Sequence, residues 1–197
     1  FFLVIGDQHS SLFNNGGAGT LPWWPQTDCY FNAKGDGSTD HFLSEWRKFR
    51  ADLPGRPIIM AAADHDYSRM HCGSRDWQQL RSAFTFLFTW SCVPGLYYGE
   101  EIGMRFLPGL PNKEGSICNP GYNRAGCRTP MQWDNSVNAG FSTAAPERLY
   151  LPIDPAVDRP NVADQIAQPN SHLQFVRELV ALRRNEPALN SVTDPEI

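Results

Sequence analysis

The chain has 197 residues and a mass of 22.2 kDa, the size of one domain with room for a sizeable core. Hydrophobic residues make up 41% and charged residues 19%, an ordinary globular balance. The formal charge of −4 and pI near 5.7 argue against a nucleic-acid or anionic-membrane partner, and Lys and Arg form no run longer than two.

In chain order, Phe1 to Ile5 reads as a strand buried on both faces, ended by Gly6-Asp7. Residues 10–26 are rich in Ser, Asn, Gly and Pro and read as a loop, and Cys29-Tyr30-Phe31 is a weak second strand. Asp40 to Arg50 carries Phe42, Leu43, Trp46 and Phe49 along one stripe, which predicts a helix. Pro54-Gly55-Arg56-Pro57 turns the chain. Ile58 to Ala63 is the next buried strand and delivers Asp64 to Arg69 at its C-terminal end. Ser74 is the expected N-cap of a helix reaching Trp90, with Trp77, Leu80, Phe84, Leu87 and Phe88 toward the core. Val93 to Tyr98 is a further strand. From Gly99 to Asn170 no period stands out, a long excursion of the kind that carries function. Ser171 with Gln174 predicts a capping box for a last helix through Leu173, Val176, Leu179, Val180 and Leu182, stopping before Pro187.

This alternation implies parallel strands with crossover helices. A complete (β/α)8 barrel takes about 250 residues, so the fold expected is α/β, roughly half a TIM barrel. Six Trp and twelve Phe read as a large aromatic core, with carbohydrate stacking the alternative for some of them. The longest apolar stretch, Ala83 to Trp90, falls far short of the ~20 residues of a membrane span. No basic region precedes residues 1–5 and no cleavage site follows, so no signal peptide is read, and a cytoplasmic location is favoured. The chain opens without Met inside a strand and is expected to be a fragment. Cys29, Cys72, Cys92, Cys118 and Cys127 have no zinc spacing. Thiols are expected, a Cys118–Cys127 bridge being the alternative in an oxidising compartment.

Three stretches carry chemistry: Ala63-Asp64-His65-Asp66-Tyr67-Ser68-Arg69, Pro94 to Met104 with Tyr97-Tyr98-Gly99-Glu100-Glu101, and Arg128-Thr129-Pro130-Met131-Gln132-Trp133-Asp134. The first offers a carboxylate, an imidazole and a guanidinium within six residues, a set that can hold a sugar ring and stabilise positive charge developing on it. In this order and spacing the three resemble the α-amylase family, glycoside hydrolase family 13, and the last heptad its branch acting on short α-glucosides. The likeness spans nearly all of residues 1–186 and is weakest over 8–40.

The resemblance implies strands five to eight of the barrel in residues 1–186, with a long loop after the last strand and the start of a C-terminal β-domain in 187–197. It implies a retaining enzyme that cleaves or transfers glucose on short α-glucosides. Such chemistry needs two carboxyl groups about 5 Å apart. Asp66 is the implied third carboxylate, gripping ring hydroxyls and stabilising the transition state, with His65 on the same sugar. Arg69 belongs to the substrate-binding set and would be paired with a carboxylate that keeps the cluster ionised. Asp64 stands where the family usually has Asn.

Asp7 occupies the place of the family's acid/base Glu. Asp is one methylene shorter, which sets its carboxyl back from the glycosidic oxygen. It reads as a weakened acid/base, as the mark of an impaired relative, or as a residue that merely ends a strand. The nucleophile pattern Gly-x-Arg-x-Asp does not occur in residues 1–197, so the fragment alone is expected to be inactive. Arg128 is implied to close the pocket around the terminal glucose, the alternative being an arginine that pins the long loop through backbone hydrogen bonds. Trp133 and Met131 are expected to pack rather than stack on sugar, and Glu100 and Glu101 to be structural. No cofactor is expected. Some family members bind calcium, but no Asp/Asn-rich loop here indicates it. The expected partner is an oligosaccharide substrate, with no nucleic acid and no membrane. The rival reading is a non-catalytic relative serving in sugar binding or protein assembly.

Overall fold

The computed structural model describes residues 19–22, 39–52, 54–55, 57–61, 63–65, 68–72, 75–115 and 123–190. The expected strands at 1–5 and 29–31, together with Asp7, Asp66 and Ser74, lie outside the described residues. Three parallel strands form one sheet in the order β1 (Gly19–Pro22), β2 (Ile58–Ala61), β3 (Val93–Gly95). β2 is central, pairing Gly19 with Ile58 on one side and Ile59 with Val93 on the other. Parallel neighbours require crossovers. Helix α1 (Thr39–Asp52) connects β1 to β2, and helix α2 (Trp77–Thr89) connects β2 to β3.

β1 falls inside the stretch read as a loop. Gly19-Thr20-Leu21-Pro22 has no apolar run, and its strand character comes from the ladder with β2. Pro22, which has no N–H to donate, sits at the strand's last position. β3 is shorter than expected, ending at Gly95.

The core follows from alternation in β2 and from helical stripes. Ile58 and Met60 are fully buried and cluster with Phe42 and Trp46 of α1 and Leu80, Phe84, Leu87 and Phe88 of α2. Val176 and Leu179 of helix α4 (His172–Asn185) close that cluster. The buried positions of α2 recur at three- and four-residue intervals, the spacing that lines one helix face. Phe42, Trp46, Phe86 and Trp90 form an aromatic group with ring centroids 4.9–6.4 Å apart. Rings at these separations add roughly 0.5–1.5 kcal/mol per pair beyond burial.

Helix ends are satisfied by side-chain caps and by one long-range arginine. Asp76, not Ser74, caps α2: its Oδ1 accepts from Gln79 N (2.8 Å) and Gln79 Oε1 accepts from Asp76 N (3.0 Å). At the other end, Arg183 of α4 donates to the carbonyls of Phe88 (2.7 Å), Trp90 (3.1 Å) and Cys92. Of these, Phe88 lies in the last turn of α2, where carbonyls lack partners within the helix, Trp90 is the C-cap and Cys92 lies between α2 and β3. Ser171 caps α4, accepting from Gln174 N at 3.2 Å, while Gln174 donates to Ile166 O rather than completing a box. Val180 and Leu182 are exposed on that helix, and Trp77 is 43% exposed on α2.

The excursion after Gly99 is built from 3-10 turns plus one short helix, α3 (Val162–Ala167), capped by Asn161. It has its own small cluster of Ile102, Met104, Met131 and Leu173, with Val162 against it. Arg105 fastens its later part by ion pairs to Asp154 (2.8 Å) and Asp158 (3.0 Å). Cys72, Cys92 and Cys127 are buried thiols, and Cys29 and Cys118 lie outside the described residues. Among the described residues, no helix is long and apolar enough to cross a membrane.

Candidate active site at the strand C-termini

The segment leaving β2 places Ala63 in the core and Asp64 and His65 half-buried at the strand's C-terminal end. Arg69 follows with no exposure at all. Its Nη1 donates to Tyr98 O (2.7 Å) and pairs with Glu100 Oε1 (3.2 Å). The second carboxylate oxygen of Glu100 accepts from Met70 N (3.1 Å). The guanidinium also lies over the rings of Tyr97 and Tyr98, 5.2 and 4.8 Å from their centroids, a favourable position for a cation. Arg69 therefore supports the turn from beneath rather than facing solvent.

Glu100 stands one residue past Gly99, which has φ 83°. A Cβ at Gly99 would lie 2.3 Å from Met104 Sδ and 3.2 Å from Arg69 Nη1, so only glycine fits both the conformation and the space. Burial pushes the Glu100 carboxyl up to about 7, against the opposing pull of Arg69 and the Met70 N–H. The backbone oxygen of Glu100 lies 3.1 Å from Nε2 of His172, the first residue of α4. Burial holds that imidazole down at about 4, so it is neutral at physiological pH. Gln165 of α3 adds a further tie, donating to Ile102 O (2.8 Å) and accepting from Leu173 N (2.8 Å).

The third motif closes on the first two. Arg128 Nε donates to His65 O (2.7 Å), and Tyr98 Oη donates to Thr129 O (2.7 Å). Cys127 Sγ lies 3.4 Å from the same His65 oxygen. Arg128 also pairs with Glu114, a carboxylate that Arg124 approaches at 3.8 Å. His65, Arg69 and Arg128 are thus gathered at the C-terminal ends of β2 and β3, where barrel enzymes build their active sites.

Met131 is buried, as expected, but Trp133 is 50% exposed. It lines an open cleft, so half of its surface is left uncovered among the described residues. Glu114 gives no signal in the sequence, lying in a Pro-, Gly- and Asn-rich stretch. Glu100 is visible there only as part of a carboxylate pair, with nothing to say which one faces Arg69. Among the described residues no three His, Cys, Asp or Glu side chains converge as a metal site would require.

The alpha-amylase catalytic-domain family model matches residues 43–191. The chain belongs to the α-amylase family. It is 41% identical over 160 residues to the trehalose synthase/amylase of Mycobacterium tuberculosis (strain ATCC 25618 / H37Rv), covering 78% of this chain and 23% of that protein. It is 42% identical over 106 residues to a human amino acid transporter heavy chain, covering 53% of this chain and 14% of that one. A solved structure of isomaltulose synthase from Erwinia rhapontici NX5, in complex with its natural substrate sucrose, superposes with a TM-score of 0.63. Identity there is 25%, over 80% of this chain and 32% of that one. The chain thus spans less than a quarter of either curated relative, and its α/β architecture is part of a (β/α)8 barrel.

Proposed function

We propose that the protein is a retaining glycosidase or glucosyltransferase acting on the α-glucosidic bonds of short oligosaccharides. The observation that carries this reading is the meeting of the three motifs through two hydrogen bonds, Arg128 Nε to His65 O and Tyr98 Oη to Thr129 O. Residues 1–186 would supply strands five to eight of the barrel, and 187–197 would begin the next domain. Asp66, one residue past His65, is the transition-state carboxylate in this reading. Asp7 is the acid/base, His65 and Arg128 hold the sugar hydroxyls, and Arg69 fixes the turn that carries them. The nucleophile would come from a segment outside residues 1–197. The glucosyl unit then passes to water or to a second sugar, as pocket shape and water access decide.

The transporter heavy chain supports a second reading, because it is 42% identical to this chain over 106 residues, against 41% over 160 for the trehalose synthase. On that reading the barrel serves in binding or assembly, and Asp7 reflects lost catalysis. The two are separated by comparing the intact protein with its Asp7→Glu variant on maltose, isomaltose, sucrose and trehalose. The enzymatic reading expects turnover by the unmodified protein, raised by the longer side chain that reaches the glycosidic oxygen. Silence from both proteins, with sugar binding retained, would move the assignment to the non-catalytic reading.

A further inference from the structure

Three segments meet at the carboxylate of Glu114. Its Oε2 faces Nη1 of Arg128 and, at 3.8 Å, Nη2 of Arg124, while Oε1 accepts from Tyr150 Oη at 3.2 Å. The neighbouring Lys113 is held on Tyr150 instead, its Nζ 4.8 Å from the ring centroid and donating to the backbone oxygen. Arg124 donates to Gly115 O (2.9 Å), which fastens the chain just past Glu114.

The crevice these residues line carries three cations, Lys113, Arg124 and Arg128, and among the described residues Glu114 is its one carboxylate. It encloses about 10 Å³, no more than the roughly 10–15 Å³ that a single water requires. Little solvent therefore stands between Glu114 and the guanidinium groups. Glu114 is 39% exposed and Arg128 19%, so screening of the pair is partial, less than on an open surface.

Such a partner answers a chemical need of Arg128. That residue touches the His65 turn, and a guanidinium stays charged at any ordinary pH. Glucoside cleavage passes through an oxocarbenium-like transition state, with positive charge growing on the sugar ring. A cation that grips the ring's hydroxyls opposes that charge. Two like charges roughly 10 Å apart, at an effective dielectric of about 20–40, change a rate by about four- to fifteenfold. A carboxylate against Arg128 removes the opposition and leaves the guanidinium a hydrogen-bond donor.

We propose that Glu114 is a positioning residue that acts through Arg128, balancing its charge so that it holds sugar hydroxyls without opposing the transition state. The inference rests on the α-glucoside reading above. The test uses the intact protein, unmodified and as Glu114→Gln and Glu114→Asp. The ligands are neutral glucose and protonated 1-deoxynojirimycin, a glucose-shaped ring whose nitrogen carries a positive charge, with maltose as substrate.

In Glu114→Gln the cationic ring binds about fivefold more weakly, while glucose changes by less than about twofold. The kcat for maltose falls about fivefold at nearly constant KM, the mark of an interaction made in the transition state. Glu114→Asp keeps the charge and recovers most of both losses, and added salt narrows the difference between the proteins. Equal weakening of both rings would overturn the inference, because it marks a residue that only shapes the pocket. No change in either ring would overturn it as well. An unmodified protein that turns over no maltose, yet prefers the cation until Glu114→Gln removes that preference, keeps the charge balance and discards the enzymatic reading. A protein that binds neither ring discards both.

Discussion

Nη1 of Arg69 lies 3.2 Å from Oε1 of Glu100, both side chains fully buried, and this pair joins the segment after β2 to the turn after β3. Two strands that are neighbours in the sheet are thereby locked together again just past their ends, where the candidate site is built. Removing one partner of such a pair leaves an uncompensated buried charge, which costs about 3–5 kcal/mol. Arg69→Met or Glu100→Gln alone is therefore strongly destabilising in the intact protein. The double variant is less so than the sum, as urea unfolding in a double-mutant cycle would read directly. Additive losses would mean that the two residues do not act as a pair.

Two buried groups pull the pH dependence of stability in opposite directions. His172 titrates at about 4 instead of 6.5, so between those values the unfolded chain binds more protons and stability rises with pH. Glu100 titrates at about 7 instead of 4.5, so across that window the native state binds more protons and stability falls as pH rises. Each shift corresponds to on the order of 3 kcal/mol. His172→Gln should therefore make stability fall from pH 4.5 to 6.5 relative to the unmodified protein, and Glu100→Gln should make it rise. Unfolding midpoints taken across that range check both signs, and identical slopes in all three proteins would refute the pair of assignments.

Gly99→Ala tests the backbone that aims Glu100. The new Cβ meets Met104 Sδ at 2.3 Å in a left-handed conformation, for an expected loss of roughly 1–3 kcal/mol. A chemical-denaturation change below about 0.5 kcal/mol, the range of ordinary surface substitutions, would show that this turn adapts freely.

Arg128 is held from two sides, by His65 O and by Glu114. Glu114→Gln removes a charge but leaves the bond to His65. Arg128→Lys keeps the charge but loses the Nε donor. The lysine variant should therefore lose more kcat/KM, by roughly tenfold or more. Steady-state kinetics on maltose compares them, and a larger loss in Glu114→Gln would assign the main role to the ion pair.

Much of the scaffold was legible because it is written in spacing. The apolar intervals of α2 and α4 and the Ser171 cap sit within single helices, where local periodicity carries the information. β1 was not, since Gly19 to Pro22 become a strand only through pairing with β2, nearly forty residues later. α3 is a six-residue helix, too short to show a period. At the site, the family resemblance implied a carboxylate partner for Arg69, but the choice of Glu100 over Glu101 depends on the turn at Gly99. Trp133 was expected to pack rather than to stack on sugar. Its ring is half in solvent beside the left-handed run 138–140, of which Asn-Ala-Gly is a faint trace.

The segment carrying His65 and Asp66 is proposed to belong to a working glucoside-cleaving site. The measurement that tests it most directly is product analysis from maltose and sucrose with the intact protein and its Asp66→Asn variant. The expected result is glucose or a new disaccharide from the unmodified protein and at least a thousandfold loss in the variant, about 4 kcal/mol of transition-state stabilisation. Turnover that survives Asp66→Asn would contradict it.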